Sequence, residues 1–133
     1  MTQHFARIAL AFVLVACPML ESIRGADISQ LESLRKERKF APTELYTGPD
    51  PGDANQLVAL VNAAIDDVMA MPQPYLAETV RGRLQKLIDD VDLLATEDRD
   101  QTYIYAIRIW RAAGFTEESG LFPVSDERVL RGP

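Results

Sequence analysis

Six carboxylates fall within twelve residues of this chain, Asp89, Asp90, Asp92, Glu97, Asp98 and Asp100. Carboxylates at such density suit three kinds of chemistry: coordinating a hard cation, working as a pair on a glycosidic bond, or presenting an acidic surface to a basic partner. The central Gly and terminal Glu of an EF-hand loop are missing, so no metal site is assigned. Carboxylate catalysis needs one acid in an apolar setting to raise its pKa. Glu97 and Asp98 are the first suspects for it, and nothing in the sequence marks a buried pair. The favoured reading is a partner-binding patch made by the six acids. The plain alternative leaves Asp89 and Asp92 in water and has Asp98 capping a helix or pairing with Arg99 or Lys86.

Other chemistries lack their residues. The one histidine, His4, sits in an N-terminal segment expected to be removed, and Cys17 is the one cysteine. Serine and cysteine triads, histidine acid–base work and His/Cys zinc sites are therefore not expected in the mature chain. Arg81-Gly82-Arg83 has a lone glycine where a phosphate-cradling loop needs several. No cofactor and no catalytic residue are assigned. With 14 Lys+Arg against 20 Asp+Glu, the net charge of −6 disfavours nucleic acid and anionic lipid headgroups, both of which need clustered cations. The basic run Arg35-Lys36-Glu37-Arg38-Lys39 reads as a solvated face. Arg99, and Arg108 and Arg111 flanking Trp110, suggest a guanidinium–aromatic site, but Tyr103, Ile107 and Trp110 share one helical face and read more simply as core.

The first residues carry an address. Arg7 precedes the apolar run Ile8 to Ala16, the layout of an export signal. Nine helical residues span about 13 Å, too short for a bilayer core of about 30 Å. The sequence Leu14-Val15-Ala16-Cys17 resembles the lipobox of bacterial lipoproteins, which implies lipid attachment at Cys17 after removal of residues 1–16. The alternative is an ordinary signal cut near Ala26. Loss of residues 1–16 leaves 13 basic and 20 acidic residues, a net charge of −7. Residues 17–26 then form a tether and 27–133 a single domain.

The positioning elements are helices. Ile28, Leu31 and Leu34 predict a short one over Asp27 to Lys39. A loop with three prolines and two glycines follows, over Phe40 to Gly52, its Phe40, Leu45 and Tyr46 pinned to the core. Asp53 is placed as N-cap of a helix running to about Met71 on Leu57, Leu60, Val61, Ala64, Ile65 and Val68. Met71-Pro72-Gln73-Pro74 breaks the chain, with Pro74 in the first turn of a third helix that reaches about Leu94 on Leu76, Val80, Leu84, Leu87, Ile88 and Val91. Met69, Met71 and Tyr75 around that break read as core rather than as a docking patch. Thr96 is the expected N-cap of a fourth helix stopping at Gly114, and Ser125 the cap of a last short turn. No strand pattern occurs. The prediction is all-α, a small antiparallel bundle of three long helices plus a shorter N-terminal one.

Tyr46-Thr47-Gly48 before the first long helix, Thr96-Glu97-Asp98-Arg99 opening the last, and Gly120-Leu121 beyond it resemble a family of small helical bacterial proteins classed as a domain of unknown function. The likeness spans roughly Phe40 to Phe122. It implies a compact helical domain and no activity. The functional expectation is an exported, lipid-anchored, non-enzymatic module that binds an envelope protein, neutralisation of a toxin being one version. Its membrane contact would run only through Cys17. The alternatives are a carboxylate-dependent envelope hydrolase and a structural subunit of an envelope assembly, the latter favoured if the helix from about Leu57 to Met69 exposes a large apolar patch.

Overall fold

The computed structural model of the chain describes residues 28–132. The expected signal, the 17–26 tether, His4 and Cys17 lie outside the described residues. Within them the chain is helical without a strand, as predicted: α1 over 28–36, α2 (Ala54–Met69), α3 (Ala77–Asp90), α4 (Thr96–Ala112) and α5 (Asp126–Arg131). The three long helices α2, α3 and α4 each pack on the other two, and α5 packs on α4.

Apolar spacing decides which faces turn inward. Leu57, Val61, Ala64, Ile65 and Val68 of α2 meet Val80, Leu84 and Leu87 of α3 and Ala106, Ile109 and Trp110 of α4 in one core. Leu31 and Leu34 of α1 join it, together with Phe40 and Tyr46 from the loop and Leu121 from the C-terminal segment. Each fully buried Leu, Ile or Val contributes about 1.5–3 kcal/mol of transfer free energy. Met69, Met71 and Tyr75 are partly buried against the same core, as read from the sequence. The outer face of α2 carries Asn55, Gln56, Ala59, Ala63, Asp66 and Asp67, so the large apolar patch that would favour a structural subunit is not found there.

Several boundaries differ from the sequence expectation, each for a local reason. Helix α1 stops at 36 rather than Lys39. Lys39 is buried and folds its Nζ back onto the carbonyls of Arg35 and Glu37, at 3.1 and 3.0 Å, occupying acceptors that a helix end leaves open. Phe40 follows at φ +58, its N–H donating to the Tyr105 hydroxyl at 2.9 Å. The basic run is therefore not simply a solvated face, since Arg35 also pairs with Asp66 of α2 at 2.8 Å. Helix α3 begins at Ala77, with Leu76 as an exposed N-cap, so Pro74 lies outside it.

The C-terminal end of α3 comes at Asp90, short of Leu94. Asp89, Asp90 and Asp92 gather where the helix dipole is negative, and the chain tightens into i→i−3 bonds over Val91 to Leu94. Thr96 is the first residue of α4 and Ala95 its N-cap, which makes no side-chain cap bond. The Thr96 hydroxyl accepts from Arg99 instead. Gly114 at φ +100 terminates α4, and Ser125 caps α5 through the Arg128 N–H at 3.3 Å, both as expected.

Candidate functional site

The six predicted patch residues do not share one environment. Asp98 is 2% exposed, whereas Asp89, Asp90, Asp92 and Glu97 are exposed and Asp100 is half-buried. Asp98 therefore leaves the surface patch. One residue of helix turns its side chain about 100° away from that of Glu97, and the apolar interior of the loop lies on that side.

Asp98 pins the loop. The Tyr46 hydroxyl donates to Asp98 Oδ1 at 2.7 Å, the Asp50 N–H points at Oδ2 from 3.5 Å, and the Thr102 hydroxyl donates to the Asp98 carbonyl at 2.8 Å. Burial pushes the Tyr46 phenol pKa up, and the bond to Asp98 pushes it the same way. Tyr46 is itself set by a tight turn. The Thr43 N–H donates to the Tyr46 carbonyl at 2.7 Å, and Thr43 Oγ1 accepts from the N–H groups of Leu45 and Tyr46. Gly48 at φ +101 then turns the chain away, in a conformation that L side chains rarely adopt. This turn holds Leu45 outward at 93% exposure.

Three carboxylates converge beneath it. One oxygen from each of Asp50, Asp53 and Asp98 lies within 4.8 Å of the others, at the N-termini of α2 and α4, whose positive dipole ends offset the shared negative charge. These are the described residues whose donors could hold a hard cation. Asp53 occupies the N-cap position as read from the sequence, but its side chain makes no cap bond. Asp50 went unnoticed; an acid three residues ahead of a capping Asp was its one signal.

The remaining acids divide in two. Asp90 pairs with Lys86 at 3.6 Å and Asp92 with Arg99 at 3.9 Å, while Asp89 accepts from Gln85 at 3.1 Å. Arg99 also donates to the Asp92 carbonyl, so it ties the α3–α4 turn rather than pairing with Asp98. Leu93 stands at the tip of that turn, 97% exposed. Glu97 and Asp100 make no ion pair within the described residues. They line a cleft of about 270 Å³ with Leu45, Ile104, Leu130 and Arg131.

The third motif builds a second knot. Ser119 is buried; its N–H and hydroxyl both donate to the Asp126 carboxylate, at 2.8 and 2.7 Å, and the Asp126 N–H donates to Glu118 Oε2. Arg81 Nε donates to the Ser119 carbonyl at 2.6 Å, with its guanidinium 5.1 Å from the Trp110 ring centroid. Gly120 follows at φ +71, a conformation that L side chains rarely adopt. Trp110 Nε1 donates to the Glu117 carbonyl at 2.8 Å. The cation over Trp110 is thus Arg81, not Arg108 or Arg111, which pair with Glu37 and Glu127. Sequence reasoning missed Arg81 because its partners lie 29 and 38 residues away.

These features define a class, a helical domain whose loops are tied down by buried aspartates. Residues 22–123 match the family described as a domain of unknown function, DUF4844, and the chain belongs to that family. No curated protein and no solved structure shows a significant match. The Tyr46 and Asp98 motifs, read separately from the sequence, meet in the hydrogen bond between those two side chains.

Proposed function

We propose that the chain is a non-enzymatic protein-binding module of the bacterial envelope, exported and tethered by lipid at Cys17, that uses its acidic α3–α4 region to recognise a basic partner. The observation that carries this reading is the surface around the α3–α4 turn. Five carboxylates remain there after Asp98 turns inward, and the large apolar side chain Leu93 is held in water among them. Exposed apolar groups within a charged surround suit a site where burial supplies affinity and charge supplies approach and register. The lipid tether rests on the Leu14-Val15-Ala16-Cys17 sequence.

A hydrolase built on Glu97 and Asp98 draws less support. One is exposed and the other buried against Tyr46, so the two do not flank a common space.

The test is affinity capture of the full chain from its native bacterium at low salt, beside a form with Asp89, Asp90, Asp92, Glu97 and Asp100 changed to Lys. The expected result is an envelope partner retained by the natural chain, released by salt and lost from the reversed form. Equal capture by both would overturn the reading. Intact mass of the same material checks the tether: a chain beginning at Cys17 and carrying acyl groups is expected, and an unacylated chain beginning near Ala26 would contradict it.

A further inference from the structure

We infer that the cleft between the Tyr46 turn, the first turns of α4 and the C-terminal end of α5 is where the partner is gripped, and that it takes an arginine or lysine side chain presented by that partner. This rests on the protein-binding reading and names the site and the group within it.

The lining has the two halves that such a side chain needs. Glu97, Asp100, Gln101 and Ile104 follow at intervals of three, one and three along α4 and so share one face. That face runs from carboxylates at one end to an aliphatic side chain at the other. Leu45 and Leu130 extend the apolar part. Arginine and lysine carry aliphatic stems that pack on apolar surface while the charged head reaches polar groups. The cleft, at about 270 Å³, admits one such side chain rather than a folded segment.

Charge complementarity selects a cation. Asp90 and Asp92 already have Lys86 and Arg99, and of the three acids of this surface without an ion pair within the described residues, Asp89 accepts from Gln85 while Glu97 and Asp100 line the cleft. Arg131 also lines the cleft and offsets part of its negative potential, so an entering cation is drawn by the two carboxylates against one guanidinium. The turn that presents Leu45 is fixed by three hydrogen bonds and by Tyr46 on Asp98. An outward leucine on a fixed turn loses little conformational freedom when a partner covers it.

The experiment is an amide-shift titration of the isotope-labelled full chain with N-acetyl-arginine amide at low salt. N-acetyl-norleucine amide, which has the stem without the charge, and guanidinium chloride, which has the charge without the stem, serve as comparisons. Saturable shifts from the arginine probe alone are expected at Thr43 to Tyr46, Glu97 to Ile104 and Leu130 to Gly132. Glu97→Gln with Asp100→Asn should weaken binding about tenfold, and Leu45→Ser should weaken it with no change in melting temperature. Shifts centred on Asp89 to Leu93, or equal shifts with guanidinium, would overturn the cleft while leaving the protein-binding reading intact. Cleft binding of the probe with no partner captured from the native host would do the reverse.

Discussion

Two buried aspartates hold two loops of this domain, in unlike surroundings. Asp126 accepts two short bonds from Ser119, the second of which leaves the Ser119 hydroxyl oxygen facing the Leu121 N–H at 3.3 Å. Asp98 accepts one short bond, from Tyr46, and one at the limit of hydrogen bonding, and two further carboxylates stand beside it. Asp126 is held by donors that need its charge. Asp98 holds Tyr46 through one oxygen while its charge is crowded. The difference separates a bond that fixes the fold from a charge that the fold merely accommodates.

That distinction can be broken or sharpened by substitution, read as urea-unfolding free energy. The largest effect is expected for Asp126→Ala, a loss of about 3 kcal/mol, because a buried N–H and hydroxyl lose a charged acceptor. Asp126→Asn keeps one acceptor and should lose about 1.5 kcal/mol. A loss under about 0.5 kcal/mol at either substitution would remove the asymmetry.

Tyr46→Phe comes next, at about 1 kcal/mol for one hydrogen bond. It also carries a pH signature. The Tyr46 pKa is raised in the folded chain, so its contribution is complete below the ordinary phenol pKa of about 10 and is lost as pH climbs above it. The natural chain should therefore lose stability at alkaline pH faster than Tyr46→Phe; parallel losses would place the phenol in solvent.

The smallest change is expected for Asp98→Asn. The amide oxygen can still accept from Tyr46, its NH₂ can donate to Asp50 or Asp53, and one of three crowded charges disappears. Stability should stay within about 0.5 kcal/mol of the natural chain. A loss as large as that of Asp126→Asn would show that the Asp98 charge matters as much as its bond.

Helical periodicity made most of the fold legible in advance. Leu57, Val61, Ile65 and Val68, or Val80, Leu84 and Leu87, repeat at the spacing that buries one face, and that pattern needs no knowledge of the partner helix. The helix ends were less legible. Lys39 bonds the carbonyls of Arg35 and Glu37 and Thr96 accepts from Arg99, local side-chain choices that apolar spacing does not encode, so the end of α1 was read too late and the cap of α4 one residue late.

The candidate site was legible as an acidic region and not as its parts. Asp98 looked like its neighbours because its distinguishing partner, Tyr46, lies 52 residues earlier. Leu45 read as a core residue because an apolar side chain in a loop usually is one. Its exposure follows from the Thr43 hydroxyl, which turns the chain so that Tyr46 goes in and Leu45 goes out. Asp126 and Ser119 carried no signal beyond being polar residues near the end of the chain.

The most direct test of the proposed contact surface compares Leu45 and Leu93, each replaced singly by a photo-crosslinking amino acid in the full chain within its native host. Both side chains are over nine-tenths exposed, so neither replacement should disturb folding. Crosslinking of one envelope protein from position 45, abolished when Glu97 and Asp100 are changed to Gln and Asn, is the predicted result. A crosslink from position 93 alone, indifferent to those changes, would contradict the cleft as the point of grip.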